Sequence, residues 1–315
     1  SPFPDQASRS DSILYRLHMD LQGKLPRSLK GYEYTLAVID DHSRYGWKEY
    51  MKTKDETPTL IKELITRLEN LTGCTVKCVR TDGGGEFNNA ELEAWFKSKG
   101  ITHEKSAPDT QQQDGVSERF NGTTHRSALS MLHEAGLSDG FWPEAHEYAC
   151  HVRNCSPSRA IPNSTPHEMF FGTKPDVSSL RVFGSRCHVR VDPSNRKKTS
   201  AHSVEGIFCG FARGYKAYYI WIPSLHRFSV SRDVIVYENL FGIKSVTTST
   251  PSSLPHDPLD PSLPSFIPTP SSDPDPPRHT SSESTDDAPD GLLNAEVTHP
   301  TRGVLQEEDT TQGRK

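Results

Sequence analysis

The stretch that most constrains this chain is the near-continuous apolar run YTLAVI at positions 34–39, closed by Asp40-Asp41. A strand with one wet face alternates apolar and polar residues, whereas a run without alternation is covered on both sides. The run is therefore expected inside a sheet with helices above and below. Its neighbours, YRLHMDLQG from residue 15 and YGWKEYM from residue 45, are strand-like and set off by polar or glycine-containing turns. Together the three runs predict a meander.

A helix follows, with Thr57 as the expected N-cap and Pro58 at the first helical position. Its stripe is Leu60, Ile61, Leu64, Ile65 and Leu68, and Gly73 ends it. The short strand TVKCVRTD then runs into Gly83-Gly84-Gly85. Asn88 and Glu91 have the spacing of a capping box for a helix burying Leu92, Trp95 and Phe96. The strand ITHEKSA leads to the polar loop PDTQQQDG, and after Gly115 a long helix runs to Gly136, with another over roughly 140–155. Three strands, helix, strand, helix, strand, helix, helix is the order of an α/β layer fold, with antiparallel and parallel pairs in one sheet.

Beyond Pro175 four short β-type runs (LRVFGSRCHVRV, VEGIFCGFA, KAYYIWIP, HRFSVSRDVIVY) suggest a small barrel, with Tyr218, Tyr219 and Trp221 in its core. From about residue 246 Ser, Thr, Pro and Asp dominate, and twelve of the 24 prolines lie between 251 and 300, so a disordered tail is expected. The net charge of −5 arises there: residues 1–245 carry 32 Lys and Arg against 29 Asp and Glu, and the remainder 4 against 12. Total charge thus says little about what the folded part binds. No apolar run is long enough to span a membrane and the polar start is unlike a signal peptide, so a soluble intracellular protein is expected. The six cysteines lack the density of a disulfide framework. Cys74 with Cys78, and Cys150 with Cys155, make poor zinc half-sites, leaving buried thiols as the expectation. Ser1 is not a methionine, so the chain is expected to be a piece of something longer.

Three acids stand where strands and a helix could aim them at one point: Asp20 within the first strand, Asp82 before the triple glycine, and Glu118 in the expected first turn of the long helix. Cutting and joining phosphodiesters calls for several carboxylates around two hard divalent cations. Thirty-five residues separate Asp82 from Glu118. With LHMDLQG, VIDDHSRYGW, VRTDGGGEF and APDTQQQDGVSERFNGTTHRSALSML, this arrangement resembles the catalytic core of retroviral and retrotransposon integrases. The segment FWPEAHEYACHVRNCSPSRAIPNSTPHEMFFGTKPDVSSLRVFGSRCHV is similar to the extension of the copia type.

The resemblance implies a ribonuclease H-like core over residues 11–175 after a short linker at 1–10, an SH3-like β-barrel over 176–242, and a disordered tail over 243–315. It implies Asp20, Asp82 and Glu118 as catalytic, metal-holding acids for two Mg²⁺ or Mn²⁺ ions. The partner would be DNA, both element ends and target, with other integrase chains in a homo-oligomer. Work in the nucleus after a cytoplasmic particle stage is implied, with no membrane partner. Among DNA contacts the expected residues are Gln112, Gln113, Arg119, Lys197 and Lys198, with Gln111, Ser106, Arg196, Arg181, Arg186 and Arg190 weaker candidates. Glu86 is expected to be structural or to touch DNA. Asp41 is expected to hold its turn, His42, Ser43 and Arg44 to share that structural role, and the triple glycine to allow a tight turn or close approach.

The chain departs from the family where Asn-Gly is usual before the catalytic helix and Asn-Arg-Thr after its glutamate. Here stand Asp114-Gly115 and Asn121-Gly122-Thr123. Asp114 adds a negative charge near DNA, and Gly122 removes a basic contact while costing the helix about 1 kcal/mol. The His-His-Cys-Cys zinc module and the reverse transcriptase that flank such a core are not within the sequence. Two other readings remain open: a nucleic-acid-binding relic that has lost catalysis, and a ribonuclease H-like hydrolase that uses only water.

Overall fold

A computed structural model describes residues 9–105, 111–190 and 202–242, without the side chains of 111–114. The first sheet has the order β3-β2-β1-β4-β5, with β1 Arg16–Gln22, β2 Tyr34–Asp40, β3 Gly46–Met51, β4 Cys78–Thr81 and β5 Thr102–Lys105. β1, β2 and β3 pair antiparallel, while β1 with β4 and β4 with β5 pair parallel. The apolar run is β2, second from one edge. Leu36 and Val38 join a core with Leu17, Met19 and Val79 under α1 (Thr57–Thr72) and α2 (Ala90–Lys99), to which Ile61, Leu64, Ile65, Leu68, Leu92 and Phe96 belong. Ala37 and Ile39 face the other way, toward Phe120 of α3 (Gln111–Ala135) and Cys150 of α4 (Trp142–Cys155). Cover on both faces explains why the run does not alternate.

Several local expectations shift. A 3₁₀ turn at Lys54–Glu56 precedes α1, whose N-cap is Glu56, so Thr57 lies inside the helix; Gly73 ends it in the left-handed conformation at φ 70°. Asn89, not Asn88, caps α2, its Oδ1 accepting from the backbone N–H of Glu91 and Leu92. Residues Gln111–Gly115, expected in the polar loop, are already helical, so Glu118 stands in the third turn of α3 and not the first. A short α5 (Pro166–Phe171) packs Phe170 against Tyr45 and Trp47.

The long helix is seated by one contact. Phe120 is fully buried over Gly46, where a Cβ would lie 2.2 Å from its ring. Gly46 starts the edge strand, and Asn154 of α4 exchanges two hydrogen bonds with its backbone, donating to the carbonyl at 2.8 Å and accepting from the N–H at 3.0 Å. A side-chain amide thus stands in for the missing neighbour strand.

The second sheet is antiparallel, in the order β10-β6-β7-β8-β9, with β6 Ser185–Arg190, β7 Ser203–Phe211, β8 Tyr218–Ile222, β9 Arg227–Ser231 and β10 Val234–Phe241. Five strands stand where four were expected, because Arg232-Asp233 breaks HRFSVSRDVIVY and sends its halves to opposite edges. This sheet's own core is Cys187, Val189, Ile220 and Ile222. Tyr218, Tyr219 and Trp221 instead belong largely to an apolar layer with Phe141, Trp142 and Tyr148, between the sheet and helix α4. Lys30, from the β1–β2 connection, lies 3.0 Å from Glu144 and 4.7 Å over the Tyr219 ring. Arg213, from the β7–β8 turn, reaches Glu147 at 2.6 Å and Glu49 at 2.8 Å. Burial alone would lower both cations, but Glu144 holds Lys30 above its ordinary value and Glu147 and Glu49 do the same for Arg213.

The expected tail at 243–315 lies outside the described residues. Among the described residues no helix is long and apolar enough to cross a membrane.

Substituting Gly46→Ala should cost about 2 kcal/mol by overpacking against Phe120. Combining it with Phe120→Leu should cost less than the two single changes together, because the shortened side chain yields the space. Urea unfolding of the four proteins measures this, and strict additivity would show that the Gly46–Phe120 contact does not seat the helix.

Candidate functional site

Strand pairing brings two of the three acids together. In the parallel β1–β4 ladder Leu17 faces Val79 and His18 faces Arg80, and continuing that register by two residues puts Asp20 beside Asp82, just past the end of β4. The turn that follows is fixed by its own bonds. Gly84 N–H donates to Asp82 Oδ1 at 3.0 Å and Asn88 Nδ2 donates to the Gly83 carbonyl at 2.6 Å, with Gly83 at φ 74°. A Cβ on Gly84 would lie 3.0 Å from the Glu86 carboxyl carbon and 3.2 Å from Asp82 Oδ1. The close approach there is by two of the chain's own carboxylates. Glu86, mostly buried, also lies 3.7 Å from Lys54.

Helix α3 meets this edge through Asn121, whose Nδ2 donates to Asp20 Oδ2 at 2.6 Å. Its Oδ1 accepts from Lys48, a lysine in β3 that is only 2% exposed. An amide has one donating and one accepting end, and an ammonium only donates. Lys48 therefore fixes Asn121 with its N–H groups toward Asp20. Glu118 lies three residues earlier on α3 and is exposed. Neighbours at that spacing have Cβ atoms roughly 5–6 Å apart, so Glu118 stands on the same side of the helix as Asn121.

The donor set is all carboxylate oxygen, which suits Mg²⁺ or Mn²⁺. Asp20 and Asp82 fit a shared cation by their adjacency. Among the described residues, however, no three His, Cys, Asp or Glu side chains are gathered closely enough to hold a metal. Glu118 is thus near the pair in the fold but is not drawn in with it. Carboxylates brought to one point repel one another, so an acid on a wet helix face rests in water unless a cation is shared.

Sequence reading missed Lys48 and gave Asn121 no role. A lysine in a strand-like run reads as the wet face of a half-buried strand, and nothing local announces its burial. Burial lowers Lys48 from 10.5 to about 8, partly offset by Cys150 and Asp20. Burial and then Lys48 also lower His146 to about 2, so this ring, 3.1 Å from His125, is neutral.

The Asp-Asp pair divides its work differently from the expectation. Asp40 holds the turn, accepting from the N–H and hydroxyl of Ser43 at 2.7 and 2.6 Å and from Leu14 N–H at 2.7 Å. Asp41 makes longer-range ties, to Ser10 N–H and hydroxyl and to His18, besides a local one to Arg44. Despite burial, these donors hold Asp41 well below the usual carboxylate range. Arg9 joins the same knot, bonding the carbonyls of His42 and Ala160.

Of the expected DNA contacts, Arg119 is exposed on α3. Gln111, Gln112 and Gln113 are on the helix but their side chains, like Ser106, Arg196, Lys197 and Lys198, lie outside the described residues. Arg186 is engaged with Glu205 and the Gly242 carbonyl, and Arg181 bonds the carbonyls of Ser178 and Leu180, while Arg190 is exposed. The cysteines are free, five of them buried, with Cys150 pushed up by burial to about 12.

Comparison with known proteins now adds to this geometry. Residues 14–110 match the integrase core domain family and residues 185–249 the retroviral polymerase SH3-like domain. The Retrovirus-related Pol polyprotein from transposon TNT 1-94 of Nicotiana tabacum is 34% identical over 238 residues, which is 75% of this chain and 18% of that protein. Residues 14–110 belong to the integrase core family, in a chain whose relatives are retrotransposon Pol polyproteins. The transposon RE1 Pol polyprotein of Arabidopsis thaliana is 29% identical over 76% of this integrase-family chain and 16% of its own length. The chain thus spans less than a fifth of these relatives. A chain in a structure of the simian T-cell lymphotropic virus intasome with PP2A regulatory subunit B56 gamma aligns over 73% of this chain and 80% of its own, at 13% identity and a TM-score of 0.44.

Because the folded-state value of Lys48 is depressed, its cost is fully present below pH 8 and is relieved as pH rises toward 10.5. The stability difference between the parent and Lys48→Met should shift in the parent's favour by about 3 kcal/mol across that window, at 1.36 kcal/mol per pK unit. Denaturation midpoints from pH 7 to 11 test this; a flat difference curve would mean that Lys48 titrates as an exposed lysine.

Proposed function

We propose that this integrase-family chain carries out the DNA chemistry of a retrotransposon: metal-dependent trimming of element 3′ ends and their transfer into target DNA. The adjacency of Asp20 and Asp82 across parallel strands, with α3 tied to Asp20 through Asn121, is the observation that supports it most. Asp20, Asp82 and Glu118 would hold two divalent ions. When bound, such ions supply an activated oxygen nucleophile and neutralise charge on the attacked phosphate. Asn121 orients Asp20 by donating to one carboxylate oxygen. Lys48 keeps Asn121 turned the right way. Glu118, from the helix side, would complete the ligand set by turning inward.

Joining exchanges one phosphodiester for another: a 3′-hydroxyl oxygen bonds to phosphorus and the target strand's 3′-oxygen leaves. No other energy source is needed. Arg119 on α3, together with Gln112, Gln113, Lys197 and Lys198, is proposed to meet DNA, and the backbone charge of that partner would make binding weaken as salt rises. Assembly with other integrase chains, action in the nucleus, and the division into a core at 11–175 and a barrel at 176–242 are part of the same proposal.

Asp114 and Gly122, standing where the family has Asn and Arg, give some support to a second reading, a nucleic-acid-binding relic. Strand transfer on end-mimicking oligonucleotides with Mg²⁺ or Mn²⁺ decides between them. Asp20→Asn, Asp82→Asn and Glu118→Gln should each lose more than the 10–100-fold typical of an outer partner, while DNA binding persists. A parent that binds DNA yet neither nicks nor joins would be the relic, and one that only hydrolyses would be a ribonuclease H-like hydrolase.

A further inference from the structure

Outside the Lys48 chain, a second set of buried bonds ends beside a candidate ligand. His103 lies on β5, its side chain 4% exposed, against Phe96 of α2 at a ring separation of 5.3 Å. Its Nδ1 is 2.7 Å from Glu93 Oε1, and its Nε2 is 3.0 Å from Thr81 Oγ1. The Thr81 oxygen in turn accepts from Gly83 N–H at 3.3 Å. Thr81 and Gly83 are the two residues flanking Asp82.

The direction of each bond follows from what each group can do. An ionised carboxylate only accepts, so Nδ1 carries the ring proton. In the tautomer with its proton on Nδ1, Nε2 accepts and the Thr81 hydroxyl donates into it. That turns a lone pair of the hydroxyl toward Gly83 N–H. Lys105, 2.6 Å from the same Glu93 oxygen, holds Glu93 below the usual carboxylate range, with His103 adding to the effect. A carboxylate, an imidazole and a hydroxyl in this order match a nucleophile relay, but Thr81 is only 1% exposed and no substrate can reach it. What the chain of bonds can do is hold the strand end.

We propose that His103 is a positioning residue for Asp82, with Glu93 setting its tautomer and Thr81 passing the constraint to the backbone on either side of the acid. The proposal rests on the reading of Asp82 as a metal ligand. The turn has other supports, at Gly84 and Asn88, and this one ties it to a second strand and to helix α2. It thereby links the end of β4 to α2 and β5.

Two amide substitutions separate the halves of the ring. In His103→Gln the amide falls near Nε2, keeping Thr81 while losing Glu93; in His103→Asn it falls near Nδ1, keeping Glu93 while losing Thr81. With the full chain, Mn²⁺ titration followed by electron paramagnetic resonance should show affinity 10–100-fold weaker for His103→Asn and Thr81→Val, and within about threefold of the parent for His103→Gln. Thermal midpoints of the two His103 variants should fall alike. Equal Mn²⁺ affinity in the two, or a loss that follows the thermal midpoint, would overturn the proposal. Asp82→Asn is titrated alongside. If it binds Mn²⁺ as the parent does, the reading of Asp82 as a ligand fails, and the relay is judged by amide hydrogen exchange alone. Faster exchange at Gly83 in His103→Asn but not in His103→Gln would sustain it; unchanged exchange in both would end it.

Discussion

The seat of Phe120 over Gly46 is the contact on which the rest depends. A helix of 25 residues packed across a sheet can slide or roll unless something indexes it, and a ring lodged where only glycine leaves room is such an index. Its position decides which residues of α3 meet the end of β1. Asn121 meets Asp20 because it follows Phe120 directly, and Glu118 flanks that contact one turn earlier. The amide of Asn154 secures the other partner by closing the hydrogen bonds of the edge strand at Gly46 itself. The fold therefore fixes the helix and the strand at a single residue.

Around this seat the protein keeps costly groups. Lys48 is buried, and much of its attraction to Asn121 goes to offset desolvation. Well-packed apolar side chains in its place would serve stability equally. The arrangement makes sense as orientation, since a buried donor next to an amide removes the ambiguity of which end points where. The same logic runs through Asp40 and Asp41, whose carboxylates gather backbone N–H groups, hydroxyls and cations from segments far apart in the chain. These knots specify geometry at the start of β1, where Asp40 pairs with Leu17.

Much of this was legible in the sequence and some was not. Periodicity marked the five strands and four main helices of the first layer, because burial on two faces and on one stripe leaves different patterns. Local bonding misled at the ends. The start of α3 reads as loop because Asp114 and Gly115 are weak helix formers, yet they are helical. The pair at 232–233 hid a strand break, since it carries neither glycine nor proline. The acids were visible through their spacing, whereas Asn121, Lys48, Thr81 and His103 were not. Their importance lies in which atoms face each other across elements, and a one-dimensional pattern carries no record of that. Likewise Tyr218, Tyr219 and Trp221 looked like the inside of a barrel, and only the position of α4 shows them as a layer between two bodies.

That layer has a mechanical meaning. Lys30 is sent from the first sheet's side into the aromatic surface of the second, and Arg213 is sent back the other way onto Glu49 and Glu147. Prying the bodies apart would take Arg213 from Glu49 and Glu147 and lift Lys30 off the Tyr219 ring at once. Arg213 lands on β3, the strand that also bears Gly46 and Lys48. A load applied to the second sheet, by a long polymer drawn across it for example, would therefore be borne by the strand that carries Lys48, so that grip and chemistry share one beam.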